Sequence, residues 1–423
     1  MEEAFLHFVW QHGLFDQLRC RGTHGELIEI VNRGYPNFDS GPDFLDAHIR
    51  INSQLWIGNV EIHIHSAEWY QHRHHKDFAY DNTILHVVLT DNDPAFLPTG
   101  TRLVTIELKD HIPRSLYGKY EALRQNFLTI PCSNVIQKIP QSETEEMMET
   151  SLLYRLHRKS AYLLELLKQM DNDWQKAFYV FFCRYLGFKV NSDAMENLAR
   201  ITPISLIQKN RDQPELVDAL LFGQAGMLQY PIKNQYYQTL RKEYQYQKHK
   251  NNLVPLNPVI WKFLRMRPVN FPTLKIAQLS AILQTNYHFF SWLLDIPEPR
   301  EIKAVLISRP SAFWKTHYHF NKKSAPHAEN MGNQSVNGLL TNVVAPVWFA
   351  YGRVHHQNRY SDAALQLLHS LPAENNKLIR QYSLLGFPNQ SARDSQGLMG
   401  LSEFFCIPKK CTNCAIGKCI LSA

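Results

Sequence analysis

The stretch "GPDFLDAHIRINSQLWIGNVEIHIHSAEW", Gly41–Trp69, sets an acid directly after a proline. It then places a glutamate and two histidines at alternate positions of one apolar run. In a β-strand alternate side chains share a face. Val60, Ile62 and Ile64 are therefore expected to enter a core, while Glu61, His63 and His65 point together to the other side. "DAHIRI" (46–51) reads as a preceding strand with Ala47, Ile49 and Ile51 on one face, and Asn52-Ser53 as the turn between the two. Hairpin pairing of these strands would bring Asp43, fixed at the mouth of the first strand by Pro42, within reach of Glu61. Gly58, just before the polar face begins, leaves room for another backbone or a ligand.

Outward from this hairpin, residues 2–16 carry Phe5, Leu6, Val9, Trp10 and Leu14 at helical spacing. "ELIEIV" (26–31), "TILHVVLT" (83–90) and "RLVTIEL" (102–108) read as further strands, and Ser66 as the cap of a short helix through Trp69 and Tyr70. The order is helix, three strands, helix, strand, strand. Beyond the proline-marked "IPCSNVIQKIPQ" (130–141) helix formers dominate, while the polar residues 308–340 read as a long loop. The expected class is α+β. A mixed-sheet α/β domain spans 1–128, a larger and mostly helical domain spans 140–400, and a Cys-rich tail spans 401–423.

A chain of 423 residues with 44% apolar and 12% aromatic content can fill more than one core. No apolar run approaches the ~20 residues a membrane span requires. The N-terminus begins acidic, without the basic head of a signal peptide, so a soluble cytoplasmic protein without a membrane partner is expected. The net charge of +7, with 20 histidines in addition, permits a phosphate-rich partner without demanding one. Seven cysteines, an odd number, argue against a secreted disulfide framework.

Two carboxylates on neighbouring strands can hold a hard cation such as Mg²⁺ or Mn²⁺. The cation would activate water against a phosphodiester, and a third polar group would orient that water or stabilise developing charge. Asp43 and Glu61 are the candidate ligands and His63 the third group; Glu26, His65 and His86 offer further support. Asp46 is the substitute should Asp43 point away. The arrangement resembles the PD-(D/E)xK superfamily of restriction-endonuclease-like nucleases. Pro42-Asp43 matches its first element, and Glu61-Ile62-His63 its second, with histidine where that family carries lysine. The resemblance implies a metal-dependent phosphodiester hydrolase acting on DNA or RNA. The exchange of lysine for histidine leaves open whether position 63 supplies charge, a base or a metal ligand.

Two other readings stand beside it. One is a nuclease-like fold that binds nucleic acid or protein without catalysis. The other rests on "HRHHKDFAYDNTILH", which adds His72, His74, His75 and His86 with Asp77 and Asp81. That density of imidazole suits a transition metal, and with it a His/carboxylate metallohydrolase acting on a small molecule.

The tail "FFCIPKKCTNCAIGKCILSA" spaces Cys406, Cys411, Cys414 and Cys419 so that four thiolates could close a shell around zinc or an iron–sulfur cluster. Redox-active thiols are the competing reading. "NQYYQTLRKEYQYQKHKNN" (234–252) interleaves tyrosines with Arg241, Lys242, Lys248 and Lys250. The mixture suits tracking of a nucleic-acid strand, or equally a helix with buried tyrosines and solvated charges. Finally "SGPDF", "WIGNVEIHIHSAEWYQH", "FGQAGML", "WKFLRMRPVNFPTLKIAQL" and "CIPKKCTNCAIG" together resemble the bacterial family catalogued as domain of unknown function 2851, which brings no activity with it.

Overall fold

The computed structural model describes residues 2–286 and 288–423. The chain forms two compact units. The first is discontinuous, built from residues 1–149 and 401–423, and the second comprises 150–400.

The first unit is α+β. Helix α1 (Glu3–His12) leads into strands β1 (Ile28–Asn32), β2 (Tyr35–Pro36), β3 (Phe44–Ile51) and β4 (Gln54–His65). A short helix α2 (Glu68–Gln71) follows, then β5 (Thr83–Thr90), β6 (Thr105–Glu107) and helix α3 (Arg114–Gln125). The sheet runs β1-β3-β4-β5-β6, with the two-residue β2 paired to β3. β1, β3 and β4 are antiparallel, whereas β4, β5 and β6 are parallel. A parallel neighbour requires a crossover of a dozen or more residues, and residues 66–82 supply it between β4 and β5. The sheet then curls back on itself. Gly22 bridges to Ile106 on β6, and its neighbour Arg21 bridges to Leu27 just ahead of β1.

The β3–β4 hairpin forms as its sequence dictates. Asn52 and Ser53 both take positive φ, which the tight turn between paired Ile51 and Gln54 requires. A bulge interrupts β3 between Phe44 and Ala47, with Asp46 left-handed at φ 55°. One face of the sheet packs Ala47, Ile49, Val60, Ile62, Leu85, Val87 and Ile106 against Phe5, Leu6 and Val9 of α1 and Leu116, Tyr120 and Leu123 of α3. The C-terminal helix Ala415–Ser422 joins this core through Leu421. The other face carries a smaller apolar cluster of Trp69, Tyr80, Ala95 and Leu103.

The second unit is mostly helical. Its helix Pro272–Thr285 is buried on all sides from Pro272 to Leu283, as expected of a central core helix. Around it pack Phe178, Phe181 and Phe182, Leu220 to Phe222, Trp314 and Trp348. The polar residues 308–340 are more ordered than their sequence suggests: they hold a small hairpin (His317–His319 with Lys322–Lys323) and a helix, Asn333–Leu339. Among the described residues no helix is long and apolar enough to cross a membrane.

Candidate metal centre

Register brings the two acids together. Phe44 pairs with Val60, so Asp43 stands opposite Glu61 at the open end of the hairpin. Each carboxylate accepts from the other strand's backbone: Asp43 N–H donates to Glu61 Oε2 (3.1 Å), and Ile62 N–H donates to Asp43 Oδ2 (2.9 Å). Glu61 is buried, and desolvation together with the charge of Asp43 pushes its carboxyl up to about 9.

Histidines surround this pair. His63, two residues along β4, shares the face of Glu61, and its Nε2 lies 3.6 Å from Glu61 Oε1. His74 Nε2 approaches the same oxygen at 3.2 Å without forming a hydrogen bond. His63 Nε2 also stands 3.2 Å from His72 Nδ1, and His63 Nδ1 2.8 Å from His86 Nε2 on β5. On the other side His7 of α1 sets its Nε2 3.3 Å from Asp43 Oδ2. Burial opposes a charge on His7, but the Asp43 carboxylate outweighs it and raises the imidazole above its ordinary range. His63 and His86 behave oppositely. Burial, reinforced by neighbouring imidazoles, lowers His63 to about 2, and burial lowers His86 to about 3, so both rings are neutral.

The crossover is what delivers His72 and His74. Trp69 anchors it, buried and donating its indole N–H to Phe96 O (3.0 Å). Arg73 between the two histidines adopts φ 65°, a reversal that turns both rings toward β4. His74 is clamped between Trp69 and Tyr80, with ring centroids at 5.3 and 3.9 Å. His72 is exposed, so the cluster reaches solvent on that side.

Asp43, Glu61, His63 and His86, read from the sequence as site residues, therefore converge. The others are placed elsewhere. Asp46 points outward from the bulge and is exposed, and His65 is exposed at the end of β4. Glu26 accepts from His24 N–H near the Asn52-Ser53 turn, at the opposite end of the hairpin from Asp43. Sequence reading missed His7, whose only signal was a polar residue inside the apolar stripe of α1.

Among the described residues, one set of three or more side chains offers metal-ligating atoms all within 4.8 Å of one another: His63, His72 and His74. The tail cysteines are not gathered in that way. Cys406 and Cys414 are buried, Cys411 and Cys419 partly so, and none is joined in a disulfide. Cys411 and Cys414 instead lie near Cys132, whose thiol burial and these two neighbours push up to about 12. In the second unit, Tyr237 and Tyr244 of helix Gln235–Lys250 pack inward, and Tyr236 donates to Asp218 Oδ2 (2.6 Å). Lys242, Lys248 and Lys250 are exposed on that helix, and Arg241 partly so, with Tyr246 as the exposed ring beside Lys250.

Residues 3–377 match the model of a family described as "Protein of unknown function (DUF2851)". No curated protein matches the chain, and no solved structure does.

Proposed function

The chain belongs to the DUF2851 family, whose description carries no activity, and we propose from the site's own chemistry that it is a divalent-metal-dependent hydrolase of phosphodiesters, with DNA or RNA as substrate. The observation that supports this most directly is the face-to-face placement of Asp43 and Glu61, two acids forced together where water is scarce. A hard cation such as Mg²⁺ or Mn²⁺ relieves that repulsion and, when bound, acidifies water and polarises a phosphodiester oxygen. Asp43 and Glu61 would hold it. His63, neutral and beside Glu61, is placed to orient the attacking water, and His7 beside Asp43 to carry a proton toward the leaving oxygen.

The topology agrees with this reading. An antiparallel pair bearing Pro42-Asp43 and Glu61-x-His63, followed by a crossover to a parallel strand, is the order found in the PD-(D/E)xK nucleases. The departure is at position 63, where a buried neutral ring replaces a permanent cation.

The test is direct. Purified protein with Mg²⁺ or Mn²⁺ should cut single- or double-stranded DNA or RNA, and Glu61→Gln should lower the rate by at least ~100-fold with an unchanged circular dichroism spectrum. Substrates left intact across both metals and all four polymers would remove the nuclease reading. The burial of Glu61 and His63 favours a second reading, hydrolysis of a small ester able to enter beside His72. Cleavage of a chromogenic phosphodiester with every polymer intact would select it.

A further inference from the structure

The geometry points to a transition-metal site, separate from the hard-cation position between Asp43 and Glu61, in which His63, His72 and His74 are the protein ligands. It shares His63 with the proposed hydrolytic site, where a ring ligated through Nε2 would act through the bound ion, and it holds whatever the substrate is.

The first support is spacing. Atoms bound to one tetrahedral Zn²⁺ at 2.0–2.1 Å lie about 3.3 Å from each other. Here His63 Nε2 to His72 Nδ1 is 3.2 Å, and the ligand atoms of His63, His72 and His74 all lie within 4.8 Å of one another.

The second support is an orphaned atom. His74 Nε2 is buried and makes no hydrogen bond, although it stands beside Glu61 Oε1. A buried polar atom without a partner costs about 1–3 kcal/mol, and a bound ion would satisfy it.

The third is the shell behind the ligands. Binding through His63 Nε2 leaves the ring proton on Nδ1, 2.8 Å from His86 Nε2, which then accepts it. A ligating histidine characteristically has its other ring nitrogen engaged in this way. Imidazole-rich sites prefer zinc, iron, nickel or cobalt over magnesium, so the three histidines select a cation unlike the one Asp43 and Glu61 would hold.

The experiment uses the full chain, stripped with chelator and titrated with Co²⁺ by visible absorption, with Zn²⁺ competition and metal counting after dialysis. The tail cysteines are a second potential sink, so the comparison is between wild type, His72→Ala, His74→Gln and the unrelated exposed His249→Ala. Wild type and His249→Ala should bind one equivalent more than His72→Ala, show a tetrahedral-type cobalt band that Zn²⁺ abolishes, and hold that equivalent at least ~10-fold more tightly than His74→Gln. Equal stoichiometry and spectra in wild type and His72→Ala would overturn the inference, even if Mg²⁺-dependent cleavage were observed. A cobalt band with no cleavage of any substrate would instead leave this site standing and remove the hydrolase.

Discussion

The carboxylate of Glu61 meets demands from both sides: one oxygen accepts from the Asp43 backbone, the other faces two imidazoles. Its neighbour His86 touches none of the acids, yet it fixes the orientation of His63. His86→Phe keeps a buried ring of similar size beside Trp69 while removing the acceptor. We expect metal retention to fall 10–100-fold with little change in melting temperature, measured by competition against a graded chelator. The spacing of Asp43, Glu61 and His63 was legible because strand periodicity is short-range and Pro42 marks the strand mouth. The contribution of His7 was not, because nothing within 36 residues of it in the sequence says that α1 ends up against Asp43. The histidines of the crossover were visible as a cluster, but which of them turn inward depends on the reversal at Arg73.

At the level of elements, β4 and β5 owe their close approach to Gly58. A Cβ there would lie 2.5 Å from Ile84 Cγ2 and 2.6 Å from Asn82 O. Gly58→Ala should destabilise the first unit by about 1–3 kcal/mol and, by displacing the start of β5, also weaken metal binding. Denaturant unfolding followed in parallel with dialysis checks both. In the second unit, Asp218 of helix Pro214–Gln224 is buried against Tyr236, and desolvation raises its carboxyl to about 6 from the ordinary 3.8. Its proton is held more firmly in the folded than in the unfolded chain. That stabilising contribution is complete below about pH 4 and is lost as pH rises through about 6. Asp218→Asn keeps an oxygen for the Tyr236 hydroxyl and should flatten this dependence, with a gain on the order of 3 kcal/mol at pH 7, read from urea unfolding between pH 4 and 7. The strand from 83 to 90 was legible from composition, because a segment buried on both faces from Leu85 to Val88 is mostly apolar. The tyrosine-rich helix was ambiguous in sequence for a physical reason: rings that stack on bases and rings that fill a core have the same spacing. Burial of Tyr237 and Tyr244 shows that these two fill the core.

For the molecule as a whole, the unit boundaries depart from the order of the chain. The last 23 residues belong with the first 149. Leu421 enters their core, and Lys409 donates to the backbone of Arg124 at the end of α3, where a cation suits the helix terminus. Removal of residues 401–423 should therefore accelerate amide hydrogen exchange in α1 and α3, hundreds of residues away in sequence, and protection in these helices unchanged by the deletion would refute it. This return of the tail had no local signature, since its cysteines advertised a metal shell more loudly than Leu421 advertised a core position. The excess of positive charge, by contrast, was plain from composition, and any polynucleotide affinity should weaken steeply with added salt.

The discontinuity of the first unit has a consequence for synthesis. Its opening 149 residues leave the ribosome with the seat for Leu421 uncovered, and residues 150–400 must be translated before the missing helix exists. At 5–20 residues per second that wait lasts on the order of 10–50 s. For that time the nascent protein leaves the apolar seat of Leu421 open to water.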